Sequence, residues 1–172
     1  MSTLMLRLAL TVILAMLLNA VIAQAVIGAT TATVAATVTA QNVSVTVSSG
    51  TVTYGTLSLS ASQDTTASGV NQTQTATNNG NVAEDLNILS SNATGGTGWT
   101  ISGAAIGSDQ YKHSFSINSG SNYTAMTTSY GTLATNIAAS GTQNFDLKID
   151  TPSSSTDYVQ KSITVTVQAV AH

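Results

Sequence analysis

Few side chains in this sequence are suited to chemistry, and each can be weighed in turn. Of 172 residues two are histidines. His172 is the last residue and is expected to fray. His113 falls in the alternation Tyr111-His113-Phe115, which suits a packed or edge histidine. A Ser–His–acid triad needs its imidazole within hydrogen-bond reach of a serine, and no G-x-S-x-G turn presents one. The carboxylates stand mostly alone, at Asp64, Asp109, Asp146, Asp150 and Asp157, while Glu84 and Asp85 are adjacent and so point to opposite faces of a strand. This offers no carboxylate pair for glycoside hydrolysis. Loop oxygens near Asp64 or Asp109 come nearest to a calcium site, but a hard cation wants several carboxylates and carbonyls together. HExxH, P-loop, dinucleotide and EF-hand patterns are absent. With no cysteine, thiolate metal sites, thiol nucleophiles and disulfides are excluded. The reading is of a non-enzyme with no catalytic residue, cofactor or metal.

Two surface chemistries remain. Trp99, Tyr111, Tyr123, Tyr130 and Tyr158 could line a carbohydrate platform. Against this, Trp99 follows a glycine loop and opens a strand, where a core tryptophan would sit. N-x-S/T sequons occur at Asn42, Asn71, Asn92 and Asn122, none with proline in the middle. A chain rich in Asn, Ser and Thr generates such triplets by chance; in a host that glycosylates exported proteins they would be surface positions.

Composition narrows the class further. Charged residues are 6% of the chain, against about 25% in ordinary domains. Four basic residues against seven acidic ones rule out a phosphate-tracking surface, so nucleic acid is not a partner. Ser and Thr supply about three residues in ten, well above average usage. Low net charge and abundant β-branched residues exclude disorder. The length suits a single domain.

The elements that carry these residues read as strands behind an export signal. Arg7 precedes an apolar run from Leu8 to Ile22, and Ala23-Gln24-Ala25 supplies the small-x-small pattern of a cleavage site. Residues 1–25 are therefore expected to be a hydrophobic signal helix that is removed. The alternative is an uncleaved anchor, because the apolar stretch runs on through Ala29 and approaches the ~20 residues that span a bilayer. Either way the body lies outside the cytoplasm, secreted or at the cell surface, touching membrane only through an uncleaved signal.

Residues 26–41 form an N-terminal extension whose Thr30–Gln41 part holds Thr, Ala and Val without glycine, proline or charge. Linker, first strand and strand in search of a partner all fit that composition. From residue 42 to 172 period-two patterns recur: Val43, Val45 and Val47; Leu86 and Ile88; Trp99 and Ile101; Tyr111 through Ile117; Phe145, Leu147 and Ile149; and Val159, Ile163, Val165 and Val167. Turn signals separate them, including Ser49-Gly50, Asn78-Asn79-Gly80-Asn81, the glycine loop Thr94–Gly98, Ser119-Gly120 and Ser140-Gly141. Eight to ten strands at this spacing predict an all-β fold, a single antiparallel β-sandwich of Ig-like or jelly-roll type. Edge guards are few, with lysine at 112, 148 and 161 and proline at 152 alone.

Several segments resemble secreted β-sandwich proteins of the TasA and camelysin type. Gly50–Ser60 (GTVTYGTLSLS) is similar to their opening, and Thr77–Ile88 (TNNGNVAEDLNI) to their "N-x-G-N, then strand" element. Gly98–Ser102, Leu133–Ile137, Lys148–Pro152 and Ser162–Gln168 extend the likeness over most of residues 43–169. The resemblance implies a subunit of an extracellular fibre, as in biofilm matrix fibres and the similar archaeal bundling pili and threads. There the N-terminal segment of one subunit inserts as a strand into the next. On that reading the chain partners itself head to tail, and other surface proteins or glycans are further partners. Alternate residues of the extension (Val34, Ala36 and Val38, or the other parity) would form the donor strand. Camelysin-type relatives are described as proteases, but this chain lacks a metal-ligand set for that activity. Cell-wall WxL domains are more distantly similar, with Ile101 where their leucine would be. The alternative function is a monomeric secreted or cell-surface adhesion module that binds carbohydrate.

Overall fold

The computed structural model describes residues 30–172, and the expected signal segment, residues 1–25, lies outside them. The chain's two units meet between Thr39 and Ala40. Among the described residues none is helical, and no helix is long and apolar enough to cross a membrane. The part of the first unit that is described, Thr30–Thr39, forms no strand.

The second unit is all-β, with ten strands: β1 Val45–Ser48, β2 Ser62–Asp64, β3 Gln74–Asn78, β4 Glu84–Ser90, β5 Thr100–Ile101, β6 Gln110–Ser116, β7 Thr124–Ala125, β8 Gly131–Ile137, β9 Thr142–Asp150 and β10 Val165–Ala171. One sheet runs β1-β3-β9-β6-β5, with β2 added on β9 and β7 on β6; the other is β10-β4-β8. Pairing is antiparallel throughout except for the two-residue parallel contact of β5 with β6. The arrangement is sandwich-like. Leu86, Ile88 and Leu133 from the three-stranded sheet meet Ala76, Phe115, Phe145 and Leu147 from the other in one apolar cluster, closed by Met126. A smaller cluster of Ala93, Tyr111 and Ile149 lies beside Tyr54, Leu57, Trp99 and Ile163.

Strand β4 shows how the alternation works. Glu84, Leu86, Ile88 and Ser90 point inward and are buried, while Asp85, Asn87 and Leu89 are half-buried on the other face. Strands β3 and β8 escape a search for apolar alternation because their inward positions are largely polar or sparse. β3 buries Gln74, Ala76 and Asn78, and β8 buries Leu133 alone.

Three expectations need correction. The run from Val159 to Val167 is not one strand: β10 begins at Val165, and Tyr158 and Val159 are exposed. Asp157 is the cause. It accepts Val159 N–H and pairs with Lys161 at 2.6 Å, which bends the chain into a turn. Ile117 does not continue the inner face of β6. It is exposed because the strand stops at Ser116, whose hydroxyl donates to Asn118 Oδ1 and accepts Gly120 N–H. His172 does not fray, since its backbone N–H donates to Ala83 O and its ring nitrogen lies 2.8 Å from Asp85 Oδ1.

Candidate functional site

The turn Asn78-Asn79-Gly80-Asn81 between β3 and β4 holds the stretch that leads into β1. Asn78 shapes the turn: its side-chain oxygen accepts Gly80 N–H at 2.7 Å, and its amide donates to Val82 O and Ile137 O. That internal bonding leaves the next residues facing the incoming chain. Asn81 Oδ1 accepts Asn42 N–H at 2.8 Å, Asn81 Nδ2 donates to Ala40 O, and Asn81 N–H donates to Asn42 O. Asn79 N–H donates to Ser44 O, and its side chain to Thr46 Oγ1. Glu84, the first residue of β4, accepts Ser44 N–H at 2.7 Å. Residues 40–44 are thus fixed by side-chain and backbone bonds before the ladder of β1 begins at Val45, and the Asn79 side chain adds a bond to Thr46 within it.

Glycine is required in this clamp for space. A Cβ on Gly80 would overlap Asn42 O and Glu84 Oε1. Glu84 is fully buried, and its second oxygen, Oε2, has no hydrogen-bond partner among the described residues. Its neighbour Asp85 points outward, where Asn136 N–H and then His172 hold its carboxyl below the usual range.

Upstream of the clamp, Thr30–Thr39 makes no hydrogen bond among the described residues, and Val34 and Val38 are 92% and 96% exposed. Even-numbered positions are Ala32, Val34, Ala36 and Val38, and odd ones Thr31, Thr33, Ala35, Thr37 and Thr39. This is the alternation of a half-buried strand, on residues that are all exposed.

The sandwich-like body is open along one side. β1 and β10 flank one side of it without hydrogen-bonding to each other. Along this seam the core side chains are only half-buried: Val45, Val47, Val52 and Tyr54 on one lip, Val165, Val167 and Ala169 on the other. Residues 51–54 run on from β1 in extended form without a ladder of their own, held where Gln72 and Gln74 side chains accept Thr53 and Gly50 N–H.

A polar thread crosses the body beneath this lip. Tyr54 Oη lies 2.9 Å from His113 Nε2, and Ser90 Oγ lies 2.9 Å from His113 Nδ1. Both ring nitrogens are satisfied by hydroxyls, so the imidazole is a structural connector. Burial pushes its pKa down to about 4, and burial likewise pushes the Tyr54 hydroxyl up.

The aromatic residues do not gather into one face. Tyr111 is wholly buried and donates to Ser91 O. Trp99 is half-buried, donates to Ser155 Oγ and lies under Lys161. Tyr130 and Tyr158 are exposed on separate loops, and Tyr123 packs under Lys148. A shallow pocket of about 160 Å³ brings Lys112, Ser114, Tyr123, Lys148 and Asp150 together. Its carboxylate is already matched: Asp150 takes Lys112 at 3.2 Å and Lys148 at 3.6 Å. Burial raises the Asp150 pKa, but the Ser62 hydroxyl and the two lysines outweigh it and hold the group low. The glycine loop is closed by Lys161, which donates to Gly95 O and Thr97 O. Asn42, Asn71, Asn92 and Asn122 are all exposed, although Asn92 uses its side-chain oxygen to accept Ile101 N–H. Asp64 and Asp109 accept bonds from Thr66 and Ser155 respectively. No group of three metal-ligating side chains occurs among the described residues.

Comparison with protein-family models, curated proteins and solved structures finds no match to this chain.

The clamp was the part least visible in the sequence. Asn78–Asn81 reads as a turn, but nothing local says that its amides hold residues nearly forty positions upstream. The alternation of Thr, Ala and Val before residue 40 is a legible signal.

Proposed function

We propose that this chain is an extracellular structural protein, a filament subunit assembled by N-terminal donor-strand exchange. It is exported on residues 1–25, and its body is an antiparallel β-sandwich of Ig-like or jelly-roll type. The observation that carries the reading is the segment Thr30–Thr39, with strand alternation, no charge, no hydrogen bond among the described residues and two valines almost fully exposed. An exposed strand-like segment of this kind is stabilised by adding itself to a sheet edge, where backbone bonds supply affinity and alternate side chains fill pockets. Burying each valine contributes about 1.5–3 kcal/mol. Donor and acceptor are the same chain, so the contact is head-to-tail and non-closing, which yields a fibre. The clamp at Asn78–Glu84 supports this reading by fixing the root of the extension to its own subunit, so that the body transmits load to the donor.

The alternative, a monomeric adhesion module for carbohydrate, has less support, because the aromatic residues that would form its platform are dispersed between core and separate loops. The deciding experiment is negative-stain electron microscopy with light scattering on the full chain expressed for export and purified. Uniform fibres are expected. A monodisperse monomer at all concentrations would overturn the filament reading and favour the adhesion module.

A further inference from the structure

The three-stranded sheet β10-β4-β8 has two outer edges, and they are built differently. β8 is irregular: its register with β4 shifts between Glu84 and Leu86 and again between Leu86 and Asn87. Asn136 sits in the left-handed region at φ 55, and its N–H is taken by Asp85 Oδ1. A bulge of this kind twists an edge away from further pairing. β10 has none of these features. It pairs with β4 residue for residue from Val165↔Ser90 to Ala171↔Glu84 without a break. Its sequence, VTVQAVA, contains no charge, no proline and no glycine. Among the described residues nothing pairs with its other side, so half of its N–H and C=O groups face outward unladdered.

Core residues beside β10 are also incompletely covered: Val165, Val167 and Ala169 are half-buried, as are Val45, Val47, Val52 and Tyr54. β1, on the opposite lip, is four residues long and is followed at once by Ser49 and Gly50, both at φ 63, which makes it a poor template. The seven residues Ala32–Val38 equal β10 in length, and Ala32, Val34, Ala36 and Val38 present small and β-branched groups with the same alternation as Val165, Val167, Ala169 and Ala171. Neither strand carries charge, so no repulsion opposes their pairing.

From this we infer that the outer edge of β10, together with the seam between β10 and β1–Tyr54, is the acceptor, and that its occupant is Ala32–Val38 of a second copy of this chain. The inference rests on the strand-donation reading and adds to it the identity of the edge. The donor pairs with β10 as a fourth strand of the smaller sheet. It turns Val34, Ala36 and Val38 into the seam, and leaves Thr33, Ala35 and Thr37 on the solvent face beside Thr166, Gln168 and Val170. β8 stays unpaired in the fibre.

Because the chain has no cysteine, disulfide trapping reads the edge directly. Full-length variants carry Gln168→Cys on β10 combined in turn with Thr33→Cys, Ala35→Cys or Thr37→Cys. A parallel set replaces Gln168→Cys by Thr135→Cys on β8. All these positions are exposed, and neighbouring strands bring Cα atoms within disulfide range only in direct apposition. At least one β10 pairing is expected to give a covalent ladder containing more than half of the subunits on a non-reducing gel, and the β8 pairings none. Hydrogen exchange on the unmodified chain is the second readout, with amides of 165–171 gaining at least tenfold protection on assembly and those of 131–137 unchanged. Ladders through Thr135, or fibres that show neither β10 cross-links nor β10 protection, would overturn the choice of edge and leave strand donation standing. Absence of fibres from the unmodified chain would overturn strand donation itself.

Discussion

The two outer edges of the smaller sheet belong to strands of equal length that share β4 as neighbour, yet one is closed to further pairing and the other is not. β8 bends over Asp85 through a left-handed Asn136, whereas β10 keeps an unbroken register over seven residues. An edge is a hazard in proportion to its straightness and neutrality. The same chain therefore guards one edge of this sheet with a bulge and leaves the other straight, beside the half-buried Val165, Val167 and Ala169. The contrast teaches that openness at β10 is local: on the other side of β4 a single carboxylate, Asp85, and a single asparagine, Asn136, produce the opposite outcome.

The comparison can be broken most severely by removing what is thought to fill the open edge. Deletion of Thr30–Thr39 is expected to abolish fibres altogether while far-ultraviolet circular dichroism keeps its β signature. Fibres of normal yield from the deletion variant, seen by electron microscopy, would show that the open edge is not filled by this segment.

Acid provides the next largest effect, because the lip facing β10 rests on Tyr54, and Tyr54 rests on His113. Burial lowers the His113 pKa to about 4 in the fold, against about 6.5 unfolded. The unfolded chain then binds more protons between these values, so stability rises with pH across that interval. It is fully present above pH 6.5 and lost progressively as pH falls toward 4, by up to about 3 kcal/mol. Asp85, Asp150 and Asp157 are held low in the fold, so their contribution is lost only at still lower pH. Urea titrations at pH 7, 5.5 and 4.5 check the point. His113→Gln should be less stable at pH 7 but nearly flat over this range, and an equally steep profile in the variant would assign the loss to other groups.

A third test bears on the clamp, which shares Glu84 with the end of β10 through the pair Ala171↔Glu84. Gly80→Ala places a methyl group against Asn42 O and Glu84 Oε1, and overpacking of this kind costs about 1–3 kcal/mol. The midpoint of chemical denaturation should drop accordingly. A midpoint equal to that of the parent would mean that the turn shifts freely and that residues 40–46 are not fixed by it.

The smallest change in stability should sharpen the comparison most. Gln168→Lys with Val170→Lys places edge-guarding charge on β10, and Thr135→Lys does the same on β8. These sites are exposed, so unfolding free energies should move by no more than about 0.5 kcal/mol. Assembly followed by light scattering should slow severalfold for the β10 pair and remain unchanged for β8. Equal slowing by both would erase the distinction between the edges.

Much of the body was legible in residue order. β1, β4, β6 and β9 announce themselves through alternating apolar residues, since each buries one face against the core. β3 does not, because Gln74 and Asn78 occupy inward positions, reconciled to burial by local partners and by Gly50 and Ile137 far along the chain, and β8 does not because it buries Leu133 alone. The stretch around Val159 shows the opposite error, apolar parity without a strand, where a charged pair at Asp157 and Lys161 bends the backbone. The ordering of His172 is hidden from local sequence because the groups that tie it down, Ala83 O just before β4 and Asp85 on β4, are nearly ninety residues away.

By itself the sequence determined the class of molecule: sparsely charged, hydroxyl-rich, without cysteine and built of strands, with an uncharged alternating segment ahead of them. Those properties follow from composition and period, which need no knowledge of neighbours. Only the tertiary structure decided that Asn79, Asn81 and Glu84 hold the root of that segment, that His113 links Tyr54 to Ser90, and that β10 keeps a straight open edge while β8 does not. Each of these depends on which strand lies beside which, and pairing register is a long-range property set by the packing of both sheets around one core.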